Sequence, residues 1–194
     1  GTISDTYPIF AEALLVLLER HNIKDSYENA YALLKKSVGK ALKNYEFEKP
    51  YHEISHEYHI IHHELALQKQ MPYEDAKYLL EAVQKAGKRN YIYTHSGKLV
   101  YQLMDKWGIS KYITDSMDGT FDFPRKPDPA ALNFLIEKNN INRGTALMIG
   151  DRDIDIDVGH NAGIATCLYD YENYYPDVKA DYKVMTLSEI ISFI

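Results

Sequence analysis

The sequence predicts an α/β protein built on a parallel sheet, and three observations predict it. After residue 71, short apolar runs at 91–94, 145–149 and 164–169 alternate with amphipathic segments, the order that βαβ units require. The run Ala146-Leu147-Met148-Ile149 ends in Gly150, and Asp151, Asp153, Asp155 and Asp157 follow within seven residues. Open α/β sheets bind ligands beyond the carboxyl ends of their strands. Residues 7–71, by contrast, carry helical periodicity and no strand signal.

The elements follow in order. Phe10, Leu14, Leu17 and Leu18 repeat at helical spacing behind Ser4-Asp5-Thr6, a capping signal, with Pro8 in the first turn. Residues 27–37 and 40–45 are predicted shorter helices, and Pro50 opens a long polar helix reaching to about residue 70. Residues 73–86 form a helix through Leu79, Leu80 and Val83, stopped by Gly87. A strand at 91–94 precedes a helix at 97–107 that Gly108 ends. Asp128 caps a helix at 129–138, and a strand at 145–149 leads to a helix at 155–162. A strand at 164–169 and a short terminal helix at 187–194 complete the chain.

Composition narrows the function classes. The 194 residues hold 22 basic and 28 acidic side chains, a net charge of −6. No basic stripe marks a nucleic-acid partner or an anionic membrane. No apolar stretch is long enough to span a bilayer, and no basic-then-apolar leader is present. The single cysteine, Cys167, sits in an apolar run, which excludes a disulfide framework and gives a reducing cytoplasm as the expected location. With no histidine near it in sequence, Cys167 reads as a core residue and not a nucleophile.

Three polar positions end up at strand tips. Thr94 closes one strand and is followed by His95-Ser96-Gly97. Lys126 stands in Arg125-Lys126-Pro127, just before a helix, and Asp151 and Asp155 follow the next strand. A hydroxyl, an ammonium and two carboxylates at neighbouring tips suit a phosphate and Mg²⁺. Magnesium needs only one or two carboxylates and keeps several waters. Lysine acts as a point charge on phosphate oxygens, and the Thr94 hydroxyl with the Ser96 and Gly97 amides can donate to the same oxygens.

On Tyr91-Ile92-Tyr93-Thr94, Arg125-Lys126-Pro127-Asp128-Pro129 and Ile149-Gly150-Asp151-Arg152-Asp153-Ile154-Asp155, the chain resembles haloacid dehalogenase-like phosphatases of the phosphoglycolate phosphatase and β-phosphoglucomutase type. The resemblance runs over essentially the whole chain. It implies a Rossmann-like core at 1–6 and 72–194 with an inserted helical cap at 7–71. It also implies that Thr94 binds the transferring phosphoryl group, that Lys126 neutralises it, and that Asp151 binds Mg²⁺ with Asp155 supporting that loop. Asp153 and Asp157 match no motif position and read as solvated acids near a helix start.

The family's nucleophile lies in Asp-x-Asp-Gly-Thr at the end of its first strand. This chain opens Gly1-Thr2-Ile3-Ser4-Asp5-Thr6, so both aspartates are expected just upstream of Gly1. The first would attack phosphorus, and the second would protonate the leaving oxygen and later activate water. Asp115-Ser116-Met117-Asp118-Gly119-Thr120 is similar to that motif, but its acids are three residues apart and cannot share one side of an extended segment. It reads as a turn.

Five of the eight histidines fall within residues 51–64. His52-Glu53-Ile54-Ser55-His56 matches a zinc-hydrolase string, and His59 and His63 extend its stripe. That face is also a candidate self-association surface, which would make a homodimer. Ser37-Val38-Gly39-Lys40 is the candidate substrate-contact segment of the cap, with Lys40 facing an anionic leaving group, and His95 is a second candidate contact. The expected activity is Mg²⁺-dependent hydrolysis of a small phosphorylated metabolite through an aspartyl-phosphate. The alternatives are a phosphomutase on the same scaffold, a non-catalytic binding protein if the upstream Asp-x-Asp is absent, and the zinc hydrolase.

Overall fold

The computed structural model describes residues 1–193. The chain divides into two compact units, Gly1–Ile3 with Pro72–Ile194 and, between them, Ser4–Met71.

The intervening unit is helical: α1 (Tyr7–Arg20), α2 (Tyr27–Lys36), α3 (Val38–Leu42) and α4 (Tyr51–Lys69). The Asp5 carboxylate accepts the Tyr7 N–H at 3.2 Å, and Pro8 lies in the first turn of α1. Ser26 caps α2 by accepting the Asn29 N–H. Ser37, fully extended, ends α2 and caps α3 by accepting the Lys40 N–H at 3.0 Å. Leu14, Leu17, Leu18, Leu42, Ile54 and Tyr58 form the centre of its core. The Lys35 side chain is buried there, its ammonium 4.0 Å from the Tyr7 ring centroid. At the unit's two ends, Gln70 donates to Ser4 Oγ at 2.8 Å, and both residues are buried.

The other unit is the α/β part. It contains α5 (Ala76–Lys85), β1 (Asn90–Tyr93), α6 (Leu99–Lys106), β2 (Ile113–Met117), α7 (Ala130–Lys138), β3 (Leu147–Gly150), α8 (Asp153–Asn161), β4 (Ala165–Tyr169) and β5 (Tyr182–Val184). The strands pair in parallel throughout, β1 with β2 and β3 with β4 with β5. The Tyr73 N–H donates to Ile3 O at 2.9 Å, joining the segments that flank the helical unit. Cys167 and Leu168 on β4 are completely buried, which is why that strand reads as a continuous apolar run. Burial pushes the Cys167 thiol up to about 12, with Glu189 adding to the effect. Among the described residues, no helix is long and apolar enough to cross a membrane.

Two strands depart from the sequence expectation. The first half of the supposed turn at 115–120 is strand β2, with Tyr91 opposite Asp115 and Tyr93 opposite Met117. Its polar centre hides the strand, because Asp115 is satisfied from the side by Lys138 at 2.8 Å and Asn139 at 2.8 Å. Strand β5 has three residues, two of them exposed, too short for any period to emerge. The terminal helix is 3₁₀ over Leu187–Phe193, and Ile194 lies outside the described residues.

Candidate active site

The parallel order puts Thr94 just beyond β1 and Asp151 just beyond β3, each at the carboxyl end of its strand. The Thr94 N–H donates to Met117 O at 2.9 Å, continuing the β1 ladder by one residue. Its Oγ1 accepts the Ser96 N–H at 3.0 Å. The hydroxyl is thereby oriented while its own proton stays available for an acceptor. Ser96 and Gly97 are exposed, and Thr94 and His95 are half-buried.

The 94–97 loop is braced by the turn after β2. The Gly119 N–H donates to Ser96 O at 2.8 Å, and a Cβ on Gly119 would lie 2.2 Å from His95 O, so only glycine allows this approach. Asp118 is 5% exposed and accepts the Thr120 N–H at 2.7 Å and the Tyr101 hydroxyl at 2.7 Å. Burial raises its pKa, but the bonds from Thr120 and Tyr101, with Lys98 nearby, outweigh it and hold the carboxyl below the ordinary value. Asp115 and Asp118 therefore shape a strand and a turn.

Lys126 is the centre of the site. Its Nζ donates to Asp155 Oδ1 at 2.7 Å and to Tyr93 O at 3.0 Å, and lies 4.2 Å from the Tyr93 ring centroid. The two ionic side chains are 6% and 10% exposed, so the pair is buried. Asp155 Oδ2 accepts the Arg152 N–H at 3.2 Å at the start of α8. Gly150 makes this possible, since a Cβ there would fall 2.0 Å from Asp155 Cβ. The Tyr93 phenol is pushed up to about 12, first by burial and then by Asp155 and Asp128.

Asp151 Oδ1 accepts the Thr2 hydroxyl at 3.0 Å, and the Gly1 nitrogen lies 3.7 Å from the same oxygen. His95 Nε2 accepts the Lys126 backbone N–H at 3.0 Å, which places the ring proton on Nδ1. Burial, then Lys126, Arg125 and Arg152, lower the imidazole to about 4. The geometry thus links His95, Lys126 and Asp155 directly. Sequence reasoning passed over Tyr93, Thr2 and the His95–Lys126 contact. Thr2 had a signal, its place in the opening Gly-Thr, whereas the other two are tertiary meetings.

The remaining candidates lie in the helical unit. Lys40 is an exposed residue of α3. On α4, His52, His56 and His59 are exposed and His63 is half-buried. His62 instead packs on Phe10 and Tyr58, at centroid distances of 4.6 and 6.2 Å. Among the described residues, no group of three or more His, Cys, Asp or Glu side chains is placed to hold a metal ion. A catalytic zinc takes three protein ligands, and the His52–His56 string brings two. Magnesium asks less of the protein. The Asp151 carboxylate at a strand tip suits it, and Asp155, although engaged by Lys126 and Arg152, retains lone pairs.

Residues 1–169 match the family model described as haloacid dehalogenase-like hydrolase. A phosphoglycolate phosphatase of Vibrio parahaemolyticus is 32% identical over 127 residues, covering 63% of this chain and 56% of that protein. The chain thus spans about half the length of the curated relatives it matches. A hydrolase from Streptococcus pneumoniae TIGR4 is 30% identical with a TM-score of 0.64, over 87% of this chain and 88% of that one. A haloacid dehalogenase-like family hydrolase from Streptococcus pneumoniae, 12% identical, shares the fold with a TM-score of 0.86 over 100% of this chain and 93% of that one.

Proposed function

The chain belongs to the haloacid dehalogenase-like hydrolase family, and on that premise we propose that it serves Mg²⁺-dependent hydrolysis of a small phosphomonoester. The observation that carries this reading is the buried Lys126 ammonium, held between Asp155 and Tyr93 O beside Thr94. A fixed cation at strand tips stabilises a transferring phosphoryl group without having to reorganise.

In this reading, the Thr94 hydroxyl and the Gly97 amide donate to phosphoryl oxygens while Lys126 neutralises them, and the Ser96 amide holds Thr94 Oγ1 in place. Asp155 holds Lys126 and the acidic loop. Asp151, with Asp155 behind it, would hold Mg²⁺, which supplies further charge neutralisation when bound. The nucleophile is an aspartate preceding Gly1. Its carboxylate oxygen bonds to phosphorus as the ester P–O bond breaks, and a second aspartate two residues on gives its proton to the leaving oxygen. That second carboxylate then takes a proton from water, which attacks phosphorus and frees the first aspartate and inorganic phosphate. Supporting this, β1 and β3 each pair on one side only among the described strands, which leaves each an edge for a strand ending in those aspartates. The Thr2 hydroxyl donates to Asp151 Oδ1 at 3.0 Å, which supports a first strand that ends beside the carboxylate this reading assigns to Mg²⁺.

The helical unit serves as the family's inserted cap in this reading, and Lys40 contributes to reading the leaving group. A reducing cytoplasm fits the single, buried Cys167. The test is phosphate release by the full-length protein from small phosphomonoesters, phosphoglycolate among them, with Mg²⁺ and after chelation. Release that requires Mg²⁺ and is lost in Lys126→Ala is expected. Activity restored by Zn²⁺ alone, or none on any phosphomonoester, would overturn the reading.

A further inference from the structure

We propose that His95 is a positioning residue for Lys126: its imidazole Nε2 takes the Lys126 backbone N–H at 3.0 Å and so sets where the buried ammonium points. The functional part of this inference rests on the phosphatase reading; the structural part stands without it. Sequence position suggested His95 as a substrate contact. In the fold, its Nε2 is already committed, and only Nδ1–H remains for other work.

Lys126 is fixed at both ends. Its ammonium meets Asp155 and Tyr93 O, and its backbone meets His95. Removing either anchor leaves the side chain free to swing about the other. Only a neutral imidazole can be the acceptor, and its surroundings keep it neutral. Arg125, Lys126 and Arg152 are the charges acting on it, all positive, and the Tyr93 ring stands edge-on to it at 6.4 Å. The loop is packed closely here: a Cβ on Gly119 would lie 2.2 Å from His95 O, and the Gly119 N–H donates to Ser96 O at 2.8 Å. Among the described residues, His95 Nε2 is the recorded acceptor of the Lys126 backbone N–H, so loss of that acceptor exposes the N–H to solvent exchange.

Two variants of the full-length protein separate the roles. His95→Leu removes the acceptor, and His95→Gln keeps an oxygen at similar reach. Amide exchange at Lys126, measured by NMR, is expected to accelerate about tenfold in His95→Leu and to return to within about threefold of the parent in His95→Gln. Inorganic phosphate binding in the presence of Mg²⁺ should weaken and recover in the same pattern, with KM rising more than kcat falls. Should His95→Leu fail to fold, the parent and His95→Gln carry the test together, since Lys126 protection in the parent should vanish as pH falls through about 4 while that of His95→Gln persists. Unchanged Lys126 exchange in His95→Leu, or a His95→Gln variant no better than His95→Leu, overturns the proposal. An absence of Mg²⁺-dependent turnover in the parent, with the exchange pattern intact, sinks the phosphatase reading and leaves the positioning role standing.

Discussion

The two units each bury a lysine, and they do so differently. In the helical unit, the Lys35 ammonium lies 4.0 Å from the Tyr7 ring centroid and 5.4 Å from that of Tyr31. In the α/β unit, Lys126 lies 4.2 Å from the Tyr93 centroid but also 2.7 Å from the Asp155 carboxylate. An aromatic face attracts a cation diffusely and tolerates several orientations. A carboxylate and a carbonyl oxygen fix direction. Lys126 is thus held in one direction by groups at and beyond the strand ends, in addition to its aromatic contact.

The sharpest way to break that contrast is Lys126→Ala. It leaves Asp155 buried without its cation, and the expected loss of stability is about 3–5 kcal/mol, read by denaturant unfolding. Turnover should fall by about 10²–10³. An Ala variant as stable and active as the parent would erase the distinction. Next comes Gly150→Ala, whose Cβ would sit 2.0 Å from Asp155 Cβ. Overpacking of this kind costs about 1–3 kcal/mol, and phosphate binding should weaken as Asp155 is pushed off Lys126.

A pH titration sharpens the comparison on the helical side. Burial, then His59 and His63, lower His62 to about 4, below the ordinary value near 6.5. The folded state then binds fewer protons than the unfolded one. The contribution is fully present above about pH 6.5 and is lost as pH falls towards 4. His62→Leu should flatten the melting temperature between those limits; an unaltered slope would show that His62 is not the group responsible. The smallest effect belongs to Lys35→Met. The aromatic contacts of Lys35 lie within the helical unit, on Tyr7 and Tyr31, so turnover should change by less than about twofold in the same phosphate-release assay. A large loss of turnover there would put Lys35 in the same class as Lys126.

The strand-end positions of Thr94 and Asp151 were legible because apolar runs bounded by polar residues report strands, and parallel strands share one functional end. The helix at 51–69 was legible from its opening proline and its period. Strand β2 was not, because Asp115 and Ser116 break its apolar pattern; Asp115 is satisfied by Lys138 and Asn139 from α7 and its end, and Ser116 Oγ donates to the Tyr101 hydroxyl at 3.0 Å. The anchoring of Lys126 by His95 joins residues 31 apart, and the Thr2–Asp151 bond joins residues 149 apart. No local pattern encodes either, since each exists only once folding has brought a strand end against a segment distant in sequence.

The paired ends of the helical unit have a consequence for descent and design. Ser4 and Gln70 meet at one end of the insertion, and Ile3 and Tyr73 meet just outside it. A segment whose two ends touch is a cassette. It can be exchanged for another of different length, or shortened to a turn, without rerouting any strand of the α/β unit. A different insertion can therefore be spliced in at this one junction while the strand ends of the α/β unit keep their arrangement.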